Sequence, residues 1–168
     1  QHFLLGVAEL LFPRTPPSHA ETLRMKKLIT EFIGTFFLVF TVGLVVVNQV
    51  TMGPIAIGAI LIVMVYMGGH ISGAHYNPAV SLAFCLRGKM SNTECLSYMV
   101  TQLLGALAAS ATVHLVTGRT FAPAPGEGVG VIAALVVEIL FTLALTLVIM
   151  NVATHKATAG NSYYGAAI

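Results

Sequence analysis

A polar, glycine-rich segment at residues 68–80 interrupts a chain that is otherwise strongly apolar. It follows the apolar run at residues 55–67, and apolar residues resume after Asn77 and Pro78. Inside a bilayer, backbone that leaves the helix must be buried in protein or line a water-filled cavity, because lipid offers no hydrogen bonds. Asn is favoured as a helix cap and Pro at the first helical position, so this pair indicates a helix start. The segment predicts a loop that enters the membrane and leaves it as a half-helix over residues 77–86.

The composition places the chain among membrane proteins. Hydrophobic residues make up 57% of its 168 residues and charged residues only 8%, whereas soluble domains carry about 25% charged residues. The formal net charge of +2 is spread over loops, so we expect no nucleic-acid partner. Cys85 and Cys95 have no Cys/His ligand spacing around them. We therefore interpret both as small apolar side chains and expect neither a metal site nor a disulfide.

Four apolar stretches are each close to the ~20 residues that cross a bilayer. They cover residues 28–47, 54–69, 96–116 and 129–152, and a fifth begins at Tyr163. The sequence therefore predicts an all-α, multi-pass membrane protein.

The basic residues predict an orientation in the membrane. All but one of the eight lie on one side if the half-helix leaves where it entered, and Arg119 lies on the other side. Cytoplasmic loops are rich in Lys and Arg, so we expect the N-terminus and the half-helix exit to be cytoplasmic. We expect the protein to reside in the plasma (inner) membrane. The residues on that side are Arg14, Arg24, Lys26, Lys27, Arg87, Lys89 and Lys156.

Residues 1–24 differ in character and are interpreted as an N-terminal extension. Their apolar run is too short to span a bilayer, and the three prolines that follow it would break a helix. The extension is an interfacial segment, upstream sequence or a non-native stretch, and Met25 followed by two lysines is typical of a natural start. Residues 25–168 are expected to form the membrane domain.

Two acidic residues inside the spans indicate an internal repeat. Glu31-Phe-Ile-Gly-Thr in the first span parallels Glu138-Ile-Leu-Phe-Thr in the fourth, an offset of 107 residues. The same offset brings Gly58 onto Gly165. With three spans in each copy, the second copy is inverted in the membrane, and such architectures bind their substrates where broken helices meet.

The repeat divides the membrane domain. The first copy covers about residues 25–117, and the second begins within residues 129–168. The offset puts the equivalent of Asn77 at position 184, which is 16 residues past Ile168. We therefore expect this chain to be truncated in the fifth span and to lack the second re-entrant loop.

The run from His70 to Val80, His-Ile-Ser-Gly-Ala-His-Tyr-Asn-Pro-Ala-Val, resembles the first signature loop of the aquaporins, the major intrinsic protein family. The Glu31 segment and its echo at Glu138 are similar to the family pattern as well. The resemblance covers about residues 26–168. It implies an inverted-repeat bundle of six spans and two half-helices in the lipid bilayer, with a pore through each subunit and usually four subunits together.

The resemblance also implies roles for individual residues. Glu31 and Glu138 would be buried supports that accept hydrogen bonds from the re-entrant loops. From the residues themselves, we expect His70 to make structural hydrogen bonds in the loop rather than to act as a ligand or pH sensor. Gly58 would allow the second and fifth spans to approach, with Gly165 facing it. The pore-lining positions would be Ile57, Gly73, Ala74, His75, Tyr76, Asn77, Pro78 and Ala79.

The chemistry of these positions suits a small neutral molecule. The positive end of the half-helix repels cations, the Asn77 amide donates a hydrogen bond, and loop carbonyls accept others. Ile57 stands where water-selective members of the family place Phe and glycerol-conducting members Trp, so a wider or more apolar ring is expected. The implied function is a passive channel for water or a small uncharged solute, without enzymatic activity or a cofactor.

Several alternatives remain open at this point. The solute is water or a less usual one such as glycerol, ammonia or hydrogen peroxide. The chain as given is a non-conducting fragment if the missing half-helix is required for a pore. A more distant alternative is a proton-coupled secondary transporter in which Glu31 or Glu138 carries the proton.

Overall fold

The computed structural model describes residues 18–122 and 124–168, and the regular structure of these residues is helical throughout. Most of the predicted N-terminal extension, residues 1–17, lies outside them. Four of the helices are long and apolar enough to cross a membrane, which confirms the predicted all-α membrane fold. In chain order the elements are α1 (His19–Val47), α2 (Gly53–Ser72), α3 (Pro78–Leu86), α4 (Asn92–Thr117), α5 (Val131–Thr154), a 3-10 turn (Lys156–Thr158) and α6 (Tyr164–Ala167).

α1 begins at His19, well before the first span predicted from residue 28. Its start is a capping box: Glu21 N donates to Ser18 Oγ at 3.2 Å, and Ser18 N donates to Glu21 Oε2 at 2.7 Å. This reciprocal pair satisfies two N–H groups that the first turn leaves free. The helix therefore extends through polar residues before the apolar span. It crosses the domain boundary placed at residue 25, which stays a prediction.

The half-helix begins and ends where the sequence predicts. α2 continues to Ser72 and stops at Gly73, whose φ of +89° suits a residue without a Cβ. Four residues later Asn77 caps α3, with Pro78 at its first position.

α1 and α4 run parallel through the bundle. Near their N-terminal ends, Lys27 Nζ lies 2.8 Å from Glu94 Oε1. At the opposite end, the Arg119 guanidinium donates to the carbonyl oxygen of Val47 at 2.8 Å. The two helices pack closely along their length: a Cβ on Gly105 would lie 2.8 Å from a backbone carbonyl oxygen of α1.

α3 leaves the bundle at the end where α1 begins. Its last turn meets the first turn of α4, because the Cys85 thiol donates to Asn92 Oδ1 at 3.1 Å. The cleft beside this contact is about 330 Å³ in volume and is lined by Arg87, Lys89 and, from the end of α5, His155. The half-helix is thus re-entrant, and the basic residues that flank it lie together at one end.

Candidate functional site

A buried carboxylate in α1 holds the loop between α2 and α3. The Glu31 side chain is fully buried. Its Oε1 accepts hydrogen bonds from Ser72 Oγ at 2.6 Å and from the backbone N–H of His75 at 3.0 Å. Its Oε2 accepts from the backbone N–H of Tyr76 and from Gln102 Nε2, both at 2.8 Å. A buried charge is costly unless it is hydrogen-bonded, and these four donors match the four acceptor sites of a carboxylate.

The loop needs such support because its backbone is strained. Ala74 and Tyr76 have φ values of +52° and +49°, in the left-handed region that side chains disfavour. Each such residue costs on the order of 1–3 kcal/mol and persists only where its surroundings enforce it. Ser72 adds further contacts: its hydroxyl accepts from Ala74 N at 3.0 Å, and its carbonyl accepts from the Tyr98 hydroxyl at 2.8 Å.

The Tyr76 side chain anchors the loop in a slot between α1 and α2. A Cβ on either Gly34 or Gly68 would overlap its ring or hydroxyl group. The hydroxyl donates to the carbonyl oxygen of Met64 at 2.8 Å, and the residue is 2% exposed. The slot exists because two glycines face each other across the helix pair. Any pore-lining contribution of Tyr76 is therefore restricted to its backbone.

His75 is held on the other side of the loop. Its ring packs against Phe84 and Tyr98 at centroid distances of 4.3 and 5.2 Å, and its Nδ1 lies 3.1 Å from Ser81 Oγ. The Ser81 hydroxyl also accepts from Gln102 Nε2 at 3.0 Å, which links His75 to the Glu31 network. The sequence analysis missed Ser72, Ser81 and Gln102, although each is a polar residue within a largely apolar segment.

The support role expected of His70 stays a prediction. Its side chain is exposed and makes no hydrogen bond to any residue that the structure describes. It lies in the last turn of α2, two positions before Ser72, and residues two apart on a helix point in nearly opposite directions. Since Ser72 faces Glu31, His70 faces away from it.

Asn77 presents a donor at the start of α3. Its side-chain oxygen caps the helix by accepting from Ala79 N at 2.8 Å. Its Nδ2 group makes no hydrogen bond within residues 18–122 and 124–168, and the residue is half-buried. The N–H groups of the first turn add the positive end of the helix dipole at the same place.

Four backbone carbonyls precede this donor without partners of their own. No residue in the described part of the chain donates a hydrogen bond to the carbonyl oxygens of residues 73–76. Residues 74–76 are buried, and buried backbone carbonyls are otherwise almost always paired with protein or water. The loop thus places a row of free acceptors next to a free donor, an arrangement suited to a molecule that both accepts and donates hydrogen bonds.

The other predicted positions lie apart from the loop. Ile57 is half-buried on α2, 15 positions before Ser72, or about 22 Å along the helix axis. Among the described residues a Cβ on Gly58 would meet nothing within 4 Å, whereas Gly165 packs against the Tyr66 ring. The single turn of α6 thus docks about two helical turns further along α2 than Gly58, and the expected role of Gly58 stays a prediction.

Glu138 has surroundings unlike those of Glu31. Its side chain is exposed and lines a groove of about 710 Å³ with residues of the loop before α5, including Pro125 and Val129. Within the described residues no hydrogen bond reaches it. The equivalents of Ser72 and His75 would fall past Ile168 by the repeat offset, so the predicted support role of Glu138 stays a prediction.

Residues 18–168 match the sequence profile of the family described as Major intrinsic protein. The chain belongs to this family. Aquaporin NIP1-1 of Zea mays is 40% identical over 146 residues, which cover 81% of this chain and 52% of that relative. Nodulin-26 of Glycine max is 38% identical over 147 residues, covering 81% of this chain and 54% of that relative. The chain therefore spans about half the length of the curated relatives that it matches.

Proposed function

We propose that the complete protein is a passive membrane channel for water or another small uncharged solute. The observation that carries the proposal is the row of unpaired carbonyls at residues 73–76 beside the free Nδ2 of Asn77. Membership in the major intrinsic protein family and similarity to proteins named aquaporins support it.

Conduction would depend on the hydrogen bonds that a passing molecule exchanges with these groups. A water molecule or a small alcohol exchanges bonds along the carbonyls and then accepts one from Asn77. Its oxygen is attracted by the positive end of α3, and the same field opposes cations. An ion would have to replace its full hydration shell with these few groups. The protein would therefore select and orient the solute, with no covalent step.

Glu31 acts in this proposal as a positioning residue. Its four hydrogen-bond donors leave no free acceptor site on the carboxylate for a proton that is carried across the membrane. This favours a channel over a proton-coupled transporter that would use Glu31.

We further infer that the end of the bundle carrying Lys27, Arg87 and Lys89 faces the cytoplasm. We also infer that the protein resides in the plasma (inner) membrane and that the complete protein assembles as a homotetramer. The clustering of basic residues at one end supports the orientation, by the positive-inside tendency. Cross-linking of the full-length protein in native membranes tests the tetramer, and a ladder that stops at the monomer contradicts it.

The experiment that tests the channel is stopped-flow light scattering on liposomes that contain the full-length protein. We expect vesicles with protein to shrink faster than empty vesicles under an osmotic gradient, without added leakage of Na⁺. Parallel gradients of glycerol, ammonia and hydrogen peroxide then rank the solutes. Water and solute fluxes equal to those of empty vesicles, with the helical content of the protein intact, overturn the proposal.

A further inference from the structure

Two thiols come together at the end of the bundle where α3 ends and α4 begins. The contact between Cys85 and Asn92 brings the last turn of α3 onto the first turn of α4. Cys95 follows Asn92 by three positions and so shares its face of α4. The Cys85 thiol that contacts Asn92 therefore lies close to Cys95. The five residues of the connecting turn, 87–91, allow this approach. Residues that are separate in the sequence thus form a pair.

A third sulfur atom extends the pair into a cluster. Cys95 Sγ lies 3.8 Å from the thioether sulfur of Met99, one turn further along α4. Cys95 is 5% exposed, whereas Cys85 is half-buried. Two thiols and a thioether at one place form a soft donor set that is partly shielded from water. We refer to Cys85, Cys95 and Met99 as the sulfur cluster.

We propose that the sulfur cluster, which the spacing of the cysteines in the sequence did not predict, binds a soft monovalent metal ion of the Cu(I) type. Thiolate and thioether ligands select Cu(I) over harder metals. A structural Zn²⁺ site needs four ligands, and the described residues contain no group of three or more His, Cys, Asp or Glu that could hold a metal. Cu(I) is satisfied by the lower coordination that the sulfur cluster offers.

The net charge of the Cu(I)-bound sulfur cluster also fits the basic residues at this end of the bundle. Coordination releases one proton from each thiol, so one Cu(I) and two thiolates leave a complex with a single negative charge. Arg87 and Lys89 follow Cys85 by two and four positions, in the turn between α3 and α4, and both line the cleft at this end of the bundle. Positive charges at this end would stabilise an anionic complex. The inference concerns a site away from the loop at residues 73–76 and does not depend on the proposed channel function.

The test is a Cu(I) titration of the full-length protein in detergent micelles, in competition with a chromophoric Cu(I) chelator. We expect about one Cu(I) per chain to be held by the sulfur cluster, with an ultraviolet thiolate-to-Cu(I) absorption band. Mutation of a residue that only hydrogen-bonds to a metal ligand typically lowers metal affinity about 10–100-fold. Loss of a direct ligand in Cys85→Ser is therefore expected to lower the Cu(I) affinity at least about 100-fold. Met67→Leu, a thioether lost from α2, is the matched control and leaves the affinity unchanged.

A second readout keeps the proposal testable if a variant folds poorly. Bound Cu(I) is expected to protect Cys85 and Cys95 of the wild-type protein from alkylation by N-ethylmaleimide, as counted by mass spectrometry. Equal alkylation with and without Cu(I), or Cu(I) binding that survives unchanged in the Cys85→Ser/Cys95→Ser double variant, overturns the proposal.

Discussion

The backbone N–H of Tyr76 donates to Glu31 Oε2 at 2.8 Å, so a side chain in the middle of α1 fixes a loop 45 positions later in the chain. The side chain of the same tyrosine enters the slot formed by Gly34 and Gly68. One residue of the loop is therefore held twice, by a hydrogen bond to its backbone and by steric fit around its ring. This double restraint explains how a loop with positive φ values keeps a single conformation.

Removal of the Glu31 charge is expected to release the loop. In Glu31→Gln one carboxylate oxygen becomes an NH₂ group, which cannot accept from the N–H groups of His75 or Tyr76. A buried donor left unsatisfied costs about 1–3 kcal/mol. We expect a lower thermal unfolding temperature by circular dichroism in detergent and a loss of solute flux.

The matched control is Glu94→Gln, which removes a carboxylate from an ion pair with Lys27 whose side chains are 42% and 35% exposed. Such partly exposed pairs contribute about 0–1 kcal/mol. Equal destabilisation by the two substitutions would contradict the central role of Glu31.

Bulk added to the Tyr76 slot is expected to displace the loop. In Gly34→Ala the new methyl group overlaps the Tyr76 ring, which is buried and held on its other side by Gly68. Overpacking of this kind typically costs about 1–3 kcal/mol. Gly58→Ala is the control, because a Cβ there meets nothing within 4 Å. The measurement is thermal unfolding, and a double variant with Tyr76→Leu should recover part of the stability lost in Gly34→Ala.

Asn77→Asp is expected to separate folding from conduction. Asp caps a helix as well as Asn does, and its negative charge is favourable at a helix N-terminus. The unfolding temperature should therefore be unchanged or higher. The variant loses the Nδ2 donor and places a negative charge beside the carbonyls of residues 73–76, so neutral-solute flux should fall and Na⁺ or proton leakage should rise. A variant with wild-type flux and wild-type ion exclusion would remove Asn77 from the proposed mechanism.

Tyr98→Phe tests the contribution of α4 to the same loop. The hydroxyl of Tyr98 donates to the carbonyl oxygen of Ser72, and both residues are buried. Loss of this hydrogen bond is expected to destabilise the protein by about 0.5–1.5 kcal/mol. Tyr163→Phe removes a hydroxyl from an exposed tyrosine and should have no measurable effect on the unfolding temperature. Similar shifts in the two variants would mean that the Tyr98 hydroxyl does not stabilise the loop.

Much of the helical architecture could be predicted from local sequence. The half-helix is set by Asn77 and Pro78, whose cap and fixed φ act within one turn, and its predicted bounds agree with the structure. The extension of α1 to His19 depends on Ser18 and Glu21, a pair that is visible in the sequence but lies outside the apolar run from which the span was drawn. Hydropathy marks the membrane-crossing part of a helix and carries no information on how far its polar end continues.

The partners of the loop could be predicted only in part. A buried acid in a span must find donors, which made Glu31 a predictable support. That Gln102 and Ser72 are two of those donors depends on the packing of α1 against α2 and α4, which no local pattern reveals. The same holds for the approach of Cys85 to the face of α4 that carries Cys95 and for the docking of Gly165 on Tyr66, since both bring separate helices together.

The free acceptors at residues 73–76 belong to the main chain, and every amino acid carries the same carbonyl group there. Mutation can shift these oxygens, but it cannot delete them. Natural variation is therefore restricted in what it can change about the hydrogen bonds that this loop offers. On the proposed function, relatives with the same loop would diverge in the solutes they admit through side chains elsewhere along the path, and Ile57 is the position of that kind within the described residues.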